Sequence, residues 1–474
     1  MPTIYIDGRP GEAAEDQTVM QAARAAGIEI PHFCWHPALS VPGNCRICMV
    51  EVEGKGTDIA CNMPVKAGMK VFTNSDEVIA HRKAILQLTL LNHPVDCGIC
   101  DKAGECTLQD YHYRYNGEPS VSVDAKIPAT KFNELSDRIV LDNERCILCS
   151  RCVRFTREVS GSNGLGIEHR ADHSRVQPSG DGAFRTDAYS DNVVDLCPVG
   201  ALLSRRFLYR SRVWYLEPTP SVCPGCERGC SINVWHRRED WKLKSVATRE
   251  NTRIARVTPL ENPAVNGPWI CNKGRDLADL FERPRAAEAR VDGRATGLEE
   301  AVRTARRLMA MARRPVALVS SWGSNEELAA FARHLGGRFT TFVKHDHAPR
   351  QGEVVEDGLL IKADKNPNRR RARELFGDAA PSFPPGTDLV LCWGEGFDPA
   401  LLPAGAKLIV IGSFFDAATD RADVLLPAST QLERDGHYTN FEGVITGFTA
   451  CLPRPPGVAD AEALFGLLAA EGAA

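Results

Sequence analysis

Cysteine placement constrains this chain more than any other feature: of seventeen cysteines in 474 residues, all but Cys392 and Cys451 fall in bursts before residue 272. The number is odd, and the N-terminal MPTIYIDGRP has no basic segment followed by an apolar run, so no export signal is read and a disulfide framework is not expected. In a reducing compartment, closely spaced thiols read as metal ligands. The distribution divides the chain into a metal-rich front and a metal-free back.

The first set is Cys34, Cys45, Cys48 and Cys61, spaced C-x10-C-x2-C-x12-C. Strands are expected at Ile4 to Ile6 and Cys48 to Val52, with a short helix from Thr18 to Ala26 ended by Gly27. A strand, a helix and a long cysteine loop suggest a β-grasp ferredoxin holding a [2Fe–2S] cluster, although the first gap exceeds the plant-type C-x4-C-x2-C. Gly43 and Asn44 would let backbone N–H groups approach the sulfurs, which the negative charge of a thiolate cluster requires. A four-cysteine zinc site is the competing reading of this spacing alone.

His93, Cys97, Cys100 and Cys106 form the second set, spaced H-x3-C-x2-C-x5-C. A helix is expected over Val78 to Leu91, with apolar residues at Val78, Ile79, Ile85, Leu88 and Leu91, and Pro94 stops it just after the histidine. Three close cysteines lack a fourth ligand, and His93 supplies one. Zinc is a chemical rival here too, and the neighbouring sets favour [4Fe–4S]. Because histidine in place of thiolate changes a cluster's potential, His93→Cys is expected to move the midpoint of this centre in a redox titration. An unchanged midpoint would contradict ligation by His93.

The third set begins with Cys146, Cys149 and Cys152 and closes at Cys197-Pro198, the bacterial ferredoxin pattern of three close cysteines and a distant Cys-Pro. The 44 residues between Cys152 and Cys197 contain no cysteine, so one [4Fe–4S] cubane is expected rather than two. Arg145, Arg151 and Arg154 flank the run and read either as offsets to a cluster's negative charge or, at least as well, as ordinary solvated arginines, and they are not counted as site residues. The fourth set is Cys223, Cys226 and Cys230, with Cys271 in the WICNKGR segment as the nearest thiol downstream. It would hold a third [4Fe–4S] cluster, with structural zinc as the alternative. Cys392 and Cys451 have no partners in sequence and are read as small hydrophobes.

The order of these sets resembles the large iron–sulfur subunit, the G subunit, of bacterial NADH:quinone oxidoreductase, respiratory complex I. The fourth set with WICNKGR resembles the iron–sulfur domain of molybdopterin oxidoreductases. Beyond about Arg285 the texture is α/β, with strands at Val316 to Ser320, Leu389 to Trp393 and Leu408 to Ile411 and helices at Leu298 to Ala312 and Asn325 to Leu335. The segments ADVLLPA at Ala422, ERDG at Glu433 and TNFEG at Thr439 look like a molybdopterin-oxidoreductase body, here much shortened.

The implied architecture is a multidomain α+β and α/β chain. It comprises a [2Fe–2S] ferredoxin-like domain over 1–77, a helical [4Fe–4S] module of one histidine and three cysteines over 78–118 and a ferredoxin-like [4Fe–4S] domain over 119–215. A molybdopterin-oxidoreductase-type [4Fe–4S] domain over 216–280 and a truncated doubly wound domain over 281–474 complete it. The basic run Lys362 to Arg373 is read as solvated loop surface.

The resemblance implies an electron relay. Electrons taken from NADH by flavin in a neighbouring subunit would enter at the first set, pass to the third and second, and leave toward quinone, while the fourth set serves stability. A relay subunit of the diaphorase type in a NAD-linked hydrogenase, or of a formate dehydrogenase, uses the same modules. An iron-only hydrogenase would need a second ferredoxin run and a cysteine-rich catalytic domain. A zinc-rich scaffold is the reading from another class. No G-x-G-x-x-G at a strand–helix junction and no Walker lysine loop occurs, so flavin and NADH are expected on partners and no molybdopterin on this chain. The expected partners are the flavin subunit and other peripheral-arm subunits, at the cytoplasmic face of the membrane. With a net charge of −4 and no long uncharged stretch, neither nucleic acid nor direct membrane insertion is expected.

Overall fold

Asp7 and Gly8 hold φ angles of +49° and +76°, the conformation that joins two strands through a tight two-residue turn. Across it β1 (Thr3–Ile6) pairs antiparallel with β2 (Arg9–Glu12). With β3 (Met49–Val52), β4 (Gly56–Ile59) and β5 (Lys70–Phe72) they form a five-stranded sheet of order β2-β1-β5-β3-β4. Helix Val19–Ala25 opens with a capping box between Thr18 and Gln21 and lays Val19, Ala22 and Ala23 on Ile4, Ile6, Val50 and Val71. The computed structural model describes residues 2–129, 131–132, 135–169, 173–241 and 253–470. Its contacts divide the chain into two compact units, Met1–Tyr215 and Leu216–Ala474.

Helix Asp76–Leu90 is capped by Ser75, whose hydroxyl accepts from the Val78 N–H. Its buried stripe is Val78, Arg82 and Leu86, whereas Ile79 and Leu88, expected on the apolar face, are 46% and 67% exposed. The sequence reading misplaced this face because a fully buried arginine lies in the middle of the stripe. Arg82 donates to the Met49 carbonyl at 3.0 Å and to Asn74 Oδ1 at 3.3 Å, which fixes the helix against β3. The rest of the first unit is built from short pieces. β6 (Lys131–Phe132), β7 (Ile139–Asp142) and β10 (Leu202–Ser204) form a small sheet, and β8 (Leu165–Glu168) pairs with β9 (Arg175–Pro178). Such short strands leave long irregular loops, and those loops carry most of the second and third cysteine sets.

The second unit starts with an antiparallel meander, β11 (Leu216–Val222), β12 (Ser231–Arg237) and β13 (Ile254–Pro259). A seven-stranded sheet follows: β14 (Ala289–Val291), β15 (Arg294–Thr296), β16 (Pro315–Val319), β17 (Thr340–Val343), β18 (Leu389–Trp393), β19 (Lys407–Gly412) and β20 (Val424–Pro427). Its order is β15-β14-β20-β19-β18-β16-β17, with β16 to β20 parallel. Along β16, β18 and β19 alternate residues enter two different cores: Ala317, Leu391 and Ile409 on one face, Val316, Val390, Cys392 and Leu408 on the other. Burial on both faces explains why these strands read as unbroken apolar runs. Cys392 is one of these core residues. β21 (Gly436–Thr439) and β22 (Ile445–Phe448) close the unit as a hairpin.

The basic run Lys362 to Arg373 is not a solvated loop throughout. Lys365 and Arg369 are buried: Lys365 Nζ donates to the Val355 and Lys362 carbonyls at 2.7 Å, and Arg369 Nη1 to the Val343 carbonyl at 3.1 Å. Both cations satisfy backbone oxygens that would otherwise be orphaned. No helix among the described residues is long and apolar enough to cross a membrane.

Candidate metal centres

The first set occupies the loop between helix Val19–Ala25 and β3 together with the turn after β4. Its thiols stand as two hydrogen-bonded pairs, Cys34 with Cys45 and Cys48 with Cys61. Backbone N–H groups of Asn44 and Cys45 point at the Cys34 sulfur, and the Cys34 N–H lies 3.4 Å from Cys45 Sγ. Gly43, at φ +64°, turns the chain for this approach. The hydrogen bond from Cys45 lowers the Cys34 pKa to about 6, while Cys45 and Cys48 are pushed up by bonding to their partner thiols and then by burial. A binuclear cluster takes two thiolates on each iron, and a two-plus-two grouping fits it. Among the described residues no three His, Cys, Asp or Glu side chains stand as a group that could hold one metal ion.

In the second set Cys100 and Cys106 are buried and Cys97 is exposed. Cys106 precedes helix Thr107–Tyr111, and the N–H groups of Leu108 and Gln109 point at its sulfur. Burial nevertheless holds its pKa at about 11. His93 sits in a bend beyond the end of helix Asp76–Leu90, and burial lowers its pKa to about 4. Its Nδ1 is buried without a hydrogen-bond partner. A neutral buried imidazole with an unused ring nitrogen fits a metal ligand. The side chain lines a cavity shared with Asn143, Cys146 and Leu148, so the fold does not show it bonded to the thiols of its own set.

Cys146, Cys149, Cys152 and Cys197 are mutually coupled through their charges, and burial raises Cys146 to about 12 and Cys149 to about 11. Leu148 and Ser150 hold φ of +52° and +60°, an uncommon conformation for residues with side chains. It winds the loop so that the N–H groups of Leu148, Arg151 and Val153 face the sulfurs of Cys146, Cys149 and Cys152.

The flanking arginines are not ordinary solvated ones, which sets aside one of the two readings the sequence left open. Arg145 and Arg154 are buried. Arg145 pairs with Asp96, next to Cys97, and with Asp142 at 3.5 Å. Arg151 donates to the Trp35 carbonyl at 2.6 Å and the Leu196 carbonyl at 3.2 Å. Arg154 donates to the Cys34 and Ser40 carbonyls. These contacts knit the first set to the third. The third meets the second where the Thr107 N–H donates to the Pro198 carbonyl at 2.9 Å, beside Cys106 and Cys197.

Despite the long gap in sequence, Cys271 lies near enough to Cys223, Cys226 and Cys230 for their charges to act on one another. Gly225 and Gly274 approach so closely that a Cβ on either would lie 3.4 Å or 3.3 Å from Cys223 Sγ. The loop is clasped from the C-terminal segment. Gln431 Nε2 donates to the Val222 carbonyl at 2.6 Å, the Phe441 N–H to the Glu227 carbonyl at 3.1 Å, and Arg228 lies over the Phe441 ring at 4.9 Å. The TNFEG segment therefore has a structural task that its sequence alone did not disclose.

Residues 1–76 match the family model of a 2Fe-2S iron-sulfur cluster binding domain, and 82–119 that of the NADH-ubiquinone oxidoreductase-G iron-sulfur binding region. Residues 136–203 match the ferredoxin-like domain of NADH-quinone oxidoreductase subunit 3, and 216–282 the molybdopterin oxidoreductase Fe4S4 domain. The class is thus an iron–sulfur protein assembled from 2Fe-2S and 4Fe-4S binding modules in a mixed α/β frame. The NADH-ubiquinone oxidoreductase 75 kDa subunit of Reclinomonas americana is 37% identical over 286 residues, 60% of this chain and 39% of its own length. The G subunit of NADH-quinone oxidoreductase from Rickettsia felis is 36% identical over 60% of this chain and 40% of its own, and that of Streptomyces coelicolor 37% identical over 58% and 31%.

Over about 60% of its length, then, the chain is similar to the G and 75 kDa subunits of NADH-quinone and NADH-ubiquinone oxidoreductases, and it spans about 40% or less of the length of those proteins. A chain in the crystal structure of NAD+-reducing [NiFe]-hydrogenase in the H2-reduced state is 30% identical with a TM-score of 0.41, covering 45% of this chain and 91% of that one.

Proposed function

We propose that the chain is an electron-relay subunit of an NADH:quinone oxidoreductase and that its ligand sets hold one [2Fe–2S] and three [4Fe–4S] clusters. The [2Fe–2S] cluster falls to Cys34, Cys45, Cys48 and Cys61. The three [4Fe–4S] clusters fall to His93, Cys97, Cys100 and Cys106, to Cys146, Cys149, Cys152 and Cys197, and to Cys223, Cys226, Cys230 and Cys271. The observation that carries the reading is the linkage of three sets in series. The first meets the third through Arg154, and the third meets the second through Thr107 and Pro198.

Bound clusters would supply the one-electron chemistry. The chain's own residues bind and bury them, aim N–H groups at the sulfurs and exclude water, which are the levers by which a protein tunes such centres. In this reading the shortened molybdopterin-oxidoreductase-like body over 281–474 carries no pterin and braces the fourth set. Flavin and NADH sit on a partner subunit, and the chain lies at the cytoplasmic face of the membrane through its complex.

The test compares the purified chain with the assembled complex under anaerobic mixing with NADH. The complex should show reduced-cluster EPR signals from this chain, whereas the purified chain should stay oxidised until dithionite is added. NADH oxidation by the purified chain would overturn the relay assignment.

A further inference from the structure

Arg154 lies on helix Arg151–Glu158, two residues beyond Cys152, and only 4% of it is exposed. Nη2 donates to the Cys34 carbonyl and, at 3.5 Å, to the Cys149 carbonyl. Nη1 donates to the Ser40 carbonyl and Nε to Ser150 Oγ at 3.2 Å. Among the described residues these partners are all neutral oxygens. Glu158, whose charge reaches Arg154, makes no hydrogen bond to it and accepts instead from the Ser40 N–H at 2.9 Å, the Ser40 hydroxyl at 2.6 Å and Arg157 at 3.0 Å. A buried guanidinium without a paired anion is costly, and something negative must compensate it. The groups on its two sides are the ligand loops of the first and third sets, and thiolate-ligated clusters are anions.

We propose that Arg154 is the shared counter-charge of the clusters in the first and third sets, a positioning residue that ties their reduction potentials together. The inference rests on the cluster assignment above. A fixed cation between two centres stabilises the more negative, reduced state of each, so one residue raises both midpoints together. Its hydrogen bonds to the Cys34 and Cys149 carbonyls also fix the two loops against one another.

EPR-monitored redox titration of the full chain, with iron quantified per molecule, tests this. Arg154→Gln should keep its iron and move both midpoints to more negative potentials together. Arg154→Lys, which keeps the charge, should hold both near the wild-type values. Arg157→Gln, an exposed charge on the same helix, should move neither. A shift in one centre only, or in none with iron intact, overturns the proposal. Loss of iron from both Arg154 variants assigns the residue to folding alone and overturns it as well. Absence of iron from the unsubstituted chain would instead refute the cluster assignment.

Discussion

Gly200→Ala should strip the second set of its cluster while leaving the first intact. A Cβ at this position overlaps Cys100 Sγ and falls 3.2 Å from Lys102 Cβ and 3.5 Å from Arg145 Cδ. Cys100 and Lys102 would have to give way, whereas the Arg145 contact is of ordinary length. Lys102 and Arg145 are buried, and Arg145 is held by Asp96 and Asp142. Overpacking at such a site costs about 1–3 kcal/mol, and here the displaced atom is itself a ligand. Iron per purified chain should fall by about four atoms, the content of one cubane, with the binuclear EPR signal unchanged. Full iron content in the variant would show that Cys100 can move without losing the cluster.

Asp346→Ala should destabilise the second unit by about 3–5 kcal/mol, the cost of leaving a buried charge unpaired. Asp346 accepts from Ser320 Oγ, the Ser321 N–H and the Glu395 N–H, each at 2.9 Å, and pairs with Lys344 Nζ at 3.0 Å. It therefore binds together the carboxyl ends of β16, β17 and β18, where the order of the parallel strands reverses. Asp346 and Lys344 are each 5% exposed, so Lys344 would be left with little bulk solvent and only the neutral Glu395 carbonyl to receive its charge. Urea unfolding followed through tryptophan fluorescence should show an earlier transition for the second unit, with no loss of iron from the first three sets. An unchanged transition would mean that Lys344 finds another acceptor.

The cysteine sets were legible as candidate ligands because cluster chemistry demands cysteines at close spacing, and spacing survives in one dimension. The strands of the seven-stranded sheet were legible for a similar reason, since burial on both faces leaves unbroken apolar runs such as Leu389 to Trp393. The arginines were not. A charged residue beside a motif reads equally well as solvated or as a counter-charge, and only the fold shows that Arg154 reaches back to Cys34 and Ser40. Arg82 hid the buried face of its helix in the same way. The clasp of Gln431, Asn440 and Phe441 on the fourth set was invisible because its contacts join residues more than 200 positions apart, as in Gln431 to Val222 and Asn440 to Arg228. Long-range polar contacts leave no periodicity to read.

The central claim is that four sets of ligands hold iron–sulfur clusters, and quantifying iron and acid-labile sulfide on the purified chain, with EPR after dithionite reduction, tests it most directly. The expected result is about fourteen irons with matching sulfide, from one binuclear and three cubane centres, and an EPR spectrum containing both cluster types. Zinc in place of iron, with no labile sulfide and no signal on reduction, would contradict the account.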